Sequence, residues 1–156
     1  MIIERIDQVD DQRIAPYRLM REPALLQQQG LFIVERRRAV ERLLTQSHFT
    51  VQSVFATEAA YRALESIMTR PNATAPVYVT TREIMNEAAG FNIHHGCLAA
   101  VYRGKSVSVE ALLARPPTPS LIAVAEHVSD SDSVGALFRN AHAFGCHGIV
   151  LTKSSA

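Results

Sequence analysis

An arginine two turns into a helix, with a glycine four residues before it, marks the first place where this sequence could do chemistry. The pair is Gly135 and Arg139, in the stretch LIAVAEHVSDSDSVGALFRNAHAFGCHGIVLT, residues 121–152. Leu121 to Val128 reads as an apolar strand. Asp130 and Asp132 are turn formers, and the Ser133 hydroxyl can cap the helix that follows. Gly135 falls in the first helical turn, where the missing side chain lets another backbone or a phosphate come close. Val134, Leu137, Phe138 and Ala141 form the apolar face, Arg139 lies at its edge, and Gly145 ends the helix. The plain alternative is an ordinary βαβ unit with a solvated arginine. Neither GxGxxG nor GxxxxGK[ST] occurs here, so a dinucleotide or Walker-type phosphate cradle is not supported.

A second stretch, GLFIVERRRAVERLL (residues 30–44), puts Arg36, Arg37 and Arg38 in the first turn of a helix. Positive charge at that end opposes the helix dipole, at about a few tenths of a kcal/mol or more per residue. Only Glu35 and Glu41 compensate locally. One explanation is an anion held at the helix start, such as an RNA phosphate. The other is a solvated charged face laced with Glu–Arg pairs. A third stretch, GFNIHHGCLAAVYR (residues 90–103), holds adjacent His94 and His95. Neighbours on a strand point to opposite faces, which argues against a shared metal. A turn entering a buried strand is the better reading. His127, His142 and His147 lack a zinc spacing, and no GxSxG nucleophile motif appears. No metal is expected.

The elements that position these residues alternate. A helical lead-in, residues 1–30, is interrupted by Pro16 and Pro23, with a short helix at 22–29 ending at Gly30. Strands are expected at 31–34, 51–56, 76–79 and 96–102. Helices are expected at 35–46, 58–69 and 81–89, the last capped by Thr81. That alternation argues for an α/β sandwich closing near Arg103. A helix at 109–115, capped by Ser108, leads into Arg115-Pro-Pro-Thr-Pro-Ser120, a stiff linker.

The 156 residues are 47% hydrophobic, enough for a real core, and carry a net charge of +1. Nucleic-acid binding must therefore come from a local patch rather than a global field. No apolar run approaches the roughly 20 residues of a membrane span, and no secretory signal is visible. Cys97 and Cys146 form no CxxC pair and read as buried thiols in a reducing cytosol, so the expected location is cytoplasmic.

Together the three stretches resemble the SpoU, or TrmH-like, RNA 2′-O-methyltransferases of the SPOUT superfamily. DSDSVGALFRNAHAFG is similar to that family's first motif, Asp-Pro-x-Asn-x-Gly-x-x-x-Arg-x-Ala-x-x-Phe-Gly. Asp130, Gly135, Arg139, Ala141, Phe144 and Gly145 fall in place. GLFIVE and GFNIHHGCLAAV look like the ends of its N-terminal substrate-binding domain. Three positions depart from the pattern: Ser133 stands for the motif asparagine, Ser131 for the proline, and Arg36 for the glycine usual after FIVE.

The resemblance implies a ribosomal-protein-like α/β/α RNA-binding domain over residues 1–103, a helix and Pro-rich linker over 104–120, and the incomplete start of a knotted, Rossmann-like SPOUT domain over 121–156. It implies an RNA methyltransferase that modifies the ribose 2′-oxygen of rRNA or tRNA with S-adenosylmethionine, working as a homodimer. Arg139 matches the catalytic arginine, with an electrostatic and positioning role: a guanidinium can hold the adjacent phosphate and stabilise charge developing on the 2′-oxygen. Being always charged, it is a poor general base. Substrate contacts are expected from Ser133, Gly135, Asn140, Glu35, Arg36 and Arg38. The cofactor pocket belongs to the family's later motifs, expected beyond Ala156, so this stretch alone is expected to bind RNA without catalysing and to hold no cofactor. The alternatives are a non-catalytic RNA-binding module and a truncated product with no independent function.

Overall fold

The computed structural model describes residues 2–68, 75–105, 107–114, 119–152 and 154–155. The chain divides into two compact units, residues 1–104 and 105–156.

In the first unit, strands β1 (Ile3–Arg5), β2 (Leu31–Glu35), β3 (Val51–Thr57), β4 (Val77–Thr80) and β5 (Cys97–Tyr102) form one sheet in the order β1-β4-β3-β5-β2. β1, β4 and β3 run parallel, while β5 runs antiparallel to both β3 and β2. β2 therefore points the same way as β3, and the carboxyl ends of β2, β3 and β4 share one edge. β5 is apolar without alternation because both its faces are covered: Cys97, Ala99 and Val101 meet one half of the core, Leu98 and Ala100 the other.

Helices cover both faces. α3 (Arg37–Gln46) and α4 (Glu58–Met68) bury Val40, Leu43, Ala60, Leu64 and Met68 against Val54, Ala56, Val77 and Val79. On the other face α1 (Ala15–Arg18) and α5 (Arg82–Ala89) bury Tyr17, Met85, Ala88 and Ala89 against Phe55. The short α2 (Pro23–Gln28) precedes β2 and starts on its proline, as the spacing predicts. The Tyr17 hydroxyl donates to the Ser53 carbonyl at 3.0 Å and accepts the Ala100 amide at 3.3 Å. Burial pushes its pKa above the ordinary phenolic value.

The opening residues differ from the helical lead-in expected for 1–30. β1 is a strand, pairing Ile3 with Val77, and only short helical turns follow it. A three-residue strand carrying Glu4 and Arg5 has no periodic signature of its own; its partner β4 supplies the structure. α3 also starts later than expected, at Arg37, because Glu35 remains in β2 opposite Leu98. Thr81 caps α5 as predicted, accepting the Ile84 amide at 3.4 Å. The expected helix ends at Thr69 and Arg115, and the linker residues 115–118, lie outside the described residues.

The second unit comprises α6 (Val109–Leu113), β6 (Ile122–Ala125), α7 (Ser131–Ala143) and β7 (Gly148–Leu151), with β6 and β7 parallel. Ser108 caps α6 through the Ala111 amide at 3.1 Å, as expected. Leu112 fills the space beside Gly148, where an added Cβ would lie 2.5 Å from its Cδ1. β6 is shorter than the expected 121–128 run: His127 takes φ 55°, which ends the extended backbone. α7 closes in a Schellman turn. The Gly145 amide bonds the His142 carbonyl and the Cys146 amide bonds the Ala141 carbonyl, with Gly145 at φ 71°. Among this unit's described residues only Ala141 is fully buried, while Val124, Phe138 and Phe144 are exposed. No helix among the described residues is long and apolar enough to cross a membrane.

Candidate nucleic-acid interface

The shared carboxyl edge of β2, β3 and β4 is also where α3, α4 and α5 begin. Each start carries the positive end of a helix dipole, with Thr57 and Thr81 taking one amide each at the starts of α4 and α5. Arg36 makes the turn from β2 into α3 with φ 82° and ψ 131°, and its carbonyl accepts the Ala39 and Val40 amides at 3.0 Å. This backbone favours glycine, so an L residue there is strained.

Arg36, Arg37 and Arg38 are exposed. Among the described residues none of them has a carboxylate within salt-bridge distance. The expected alternative, a face laced with Glu–Arg pairs, is not what α3 shows. All three line a cleft of about 530 Å³ together with Thr57, Arg82, His94 and His95. Among the described residues no carboxylate lines this cleft. Four guanidiniums and two imidazoles around an acid-free hollow attract polyanions, phosphodiesters above all.

The floor of the cleft is fixed. Arg82 Nη1 donates to the carbonyls of Ile93 and His94 at 3.3 and 3.4 Å. The Asn86 side chain accepts the Ile93 amide at 2.8 Å. Gly96, at φ 58°, lies so close to Thr57 that a Cβ would sit 2.6 Å from its Oγ1. His94 and His95 lie in this loop rather than on β5, so both line the same hollow, which strand geometry would forbid. A neighbouring cleft of about 390 Å³ shares Thr57 and Arg82 but contains Asp7 and Glu58. There Glu58 pairs with Arg5 at 3.3 Å and with Arg62 at 3.1 Å, which offsets the arginines' charge.

Of the expected contacts, Arg36 and Arg38 line the acid-free cleft. Glu35 does not; it stays half-buried in β2. Arg82, His94, His95 and Thr57 were not legible as site residues. They lie far from Arg36 in sequence, and only the strand order brings them together.

In the second unit Asp130, not Ser133, caps α7. Its carboxylate accepts the Ser133 amide at 2.8 Å and the Ser133 hydroxyl at 2.6 Å. Those two bonds, the hydroxyl's first, hold the Asp130 pKa below the usual carboxylate value. The helix starts at Ser131, so Gly135 falls in its second turn rather than its first. A Cβ on Gly135 would lie 3.3 Å from Arg139 Nη1, so the guanidinium folds back across the glycine. At 3.6 residues per turn, Gly135 and Arg139 share one strip of α7, while Ser133 and Asn140 share another about 130° away. The helix thus brings Gly135 to Arg139 and holds Ser133 and Asn140 apart from them.

No family model matches the chain. Two uncharacterised tRNA/rRNA methyltransferases, of Mycobacterium bovis and Mycobacterium tuberculosis, are each 30% identical to it over 151 residues, covering 94% of this chain and 50% of the relative. The 23S rRNA (guanosine-2′-O-)-methyltransferase RlmB of Shewanella oneidensis is 32% identical over 83 residues, 51% of this chain and 33% of the relative. Among solved structures, an rRNA methyltransferase from Sinorhizobium meliloti superposes with a TM-score of 0.77 at 10% identity, covering 100% of this chain and 57% of that one. The AdoMet complex of the SpoU methyltransferase AviRb from Streptomyces viridochromogenes superposes with a TM-score of 0.70 at 15% identity, covering 94% and 54%. These two structures share the fold. The chain spans about half the length of the curated relatives it matches over most of its own length. By sequence it is related to tRNA/rRNA methyltransferases over most of its length, and it shares the fold of a SpoU methyltransferase.

Proposed function

We propose that this chain supplies the RNA-gripping unit and the arginine-bearing helix of an S-adenosylmethionine-dependent RNA 2′-O-ribose methyltransferase acting on rRNA or tRNA. The observation that carries the reading is the acid-free cleft of Arg36, Arg37, Arg38, Arg82, His94 and His95. We take the first unit to be the ribosomal-protein-like substrate domain, and the second to open a SPOUT domain. The exposed Val124, Phe138 and Phe144 then await cover from the rest of a homodimeric, cytoplasmic enzyme.

In this reading the cleft holds the RNA backbone, with Arg36 and Arg38 on phosphates. Arg139, exposed and carried by a well-capped helix, grips the phosphate beside the target ribose and stabilises charge gathering on the 2′-oxygen. Ser133 and Asn140, on their separate strip, contact the nucleotide from the other side. S-adenosylmethionine supplies the methyl group when bound. Its sulfonium does not suit the cationic cleft, so no step of the cofactor is placed there.

The test is RNA binding by the whole chain across a salt series, with and without the double change Arg36→Ala and Arg38→Ala. The expected result is weaker binding and a salt slope smaller by about 1.4 to 1.8, for two lost phosphate contacts. Unchanged affinity at low salt overturns the phosphate reading. Methyl transfer to the ribose by a protein extended to its relatives' length, lost on Arg139→Ala, tests the enzyme. Intact RNA binding without transfer would leave a non-catalytic RNA-binding module.

A further inference from the structure

α3 joins two different surfaces. Its first turn lines the acid-free cleft, and its later turns line a shallow apolar groove of about 320 Å³. The groove is walled by Phe32 and Val34 from β2, by Ala39, Arg42, Leu43 and Gln46 from α3, and by Phe49 from the loop beyond. Phe49 meets Phe32 edge-on, with ring centroids 5.4 Å apart and planes at 76°, yet Phe49 stays 52% exposed.

Arg38, Arg42 and Gln46 follow one another at i, i+4 spacing, so they form a single polar strip along the helix. Arg38 belongs to the cleft, while Arg42 and Gln46 belong to the groove. The strip is about 12 Å long, the rise of eight helical residues. That is the length of three to four nucleotides at a stacked rise of about 3.4 Å. Among the described residues Arg42, like Arg38, has no carboxylate within salt-bridge distance.

We propose that the Phe49 groove receives an unpaired nucleobase of the RNA whose backbone lies on the arginine cleft. The base stacks on Phe49, and Arg42 and Gln46 offer donors to its edge or to its phosphate. Three features fit this occupant. The exposed aromatic offers a surface on which a base can stack. The groove rim is cationic, as an RNA strand requires. The polar strip of α3 connects it to the cleft without a break. The proposal rests on the RNA reading and adds to it that the strand is single at this point.

The experiment uses the whole chain and two probes, an eight-residue oligoadenylate and inorganic tripolyphosphate. It compares the unaltered chain, Phe49→Leu, Phe49→Trp and the Arg36→Ala, Arg38→Ala pair. Leucine keeps an apolar contact with Phe32 and removes the aromatic face. Phe49→Leu is expected to weaken oligoadenylate about 5- to 160-fold, the usual loss for one stacked base, and to leave tripolyphosphate unchanged. Phe49→Trp should restore the affinity, and oligoadenylate should quench its fluorescence while tripolyphosphate does not. Should the arginine pair weaken both probes while Phe49→Leu changes neither and the tryptophan is not quenched, the base site is wrong and the RNA reading stands. Should the arginine pair leave both probes unaffected, the RNA reading itself fails. A shift in sedimentation with Phe49→Leu, with RNA affinity unmoved, would assign the groove to contact between copies and overturn the proposal.

Discussion

The guanidinium of Arg139 lies across Gly135, its Nη1 3.3 Å from the place where a side chain would begin. Glycine is a poor helix residue, and alanine there should stabilise α7 by about 0.5 to 1 kcal/mol. Alanine also obliges the guanidinium to give by a few tenths of an ångström. Gly135→Ala is therefore expected to raise the helix's thermal stability while lowering methyl transfer several-fold in the extended protein. Circular dichroism and a ribose-methylation assay together check this. A variant that is more stable and equally active would mean that Arg139 is free to move.

Arg36 stands at φ 82° where the related pattern has glycine. Arg36→Gly should relieve the strain and raise stability by about 1 kcal/mol, net of the greater freedom of the unfolded glycine. The same change removes one cation from the cleft, so RNA affinity should fall. Chemical denaturation and RNA titration read the two effects separately. Lower stability on substitution would show that the turn suits arginine.

Asp130 gives α7 a pH-dependent start. Its pKa is lowered in the folded state, by the Ser133 hydroxyl and amide. The stability it lends is complete above the ordinary carboxylate value of about 3.9 and is lost as pH falls through the lowered one. Exchange protection of the Ser133 amide, followed by NMR, should hold through neutral pH and fail in acid. Asp130→Asn should retain much of the cap and flatten that acid dependence.

The two thiols should react at different rates. Burial pushes Cys97 up to about 12, against a smaller opposing effect of Arg37, and its side chain lies inside the sheet. Cys146 is only partly buried. Alkylation of the native chain at pH 8 should label Cys146 first and reach Cys97 only on unfolding. Mass spectrometry of the labelled peptides decides it, and early labelling of Cys97 would show that this part of the sheet opens.

Most of the fold was legible because hydrophobic period and caps agreed at the same positions. Thr81 and Ser108 cap the helices their spacing suggests, and the unbroken apolar run of β5 is buried on both faces. β1 was not legible: three residues with Glu4 and Arg5 become a strand only through β4. The cap of α7 was misplaced by a turn, because Asp130 and Ser133 can both cap and the carboxylate, three residues earlier, takes the Ser133 amide. Half of the cleft was visible as three arginines in a row. The other half, Arg82, His94 and His95, depends on which strands become neighbours, and no local pattern encodes that.

The strand order also sets a clock. Within this sheet β1 is synthesised before the other strands, yet its partner residue for Ile3 is Val77, and β5, which joins β2 to β3, ends at Tyr102. At about 5 to 20 residues per second, roughly 5 to 20 s pass between the appearance of β1 and the completion of β5. Within that interval β1 waits until β4 is complete at Thr80, and β2 waits for β5, with Phe32, Ile33 and Val34 unpaired until then. The arginine cleft, built at the ends of β2, β3 and β4 and on the loop before β5, is complete only once β5 has joined β2 to β3, so its positive charge gathers in one step rather than by degrees.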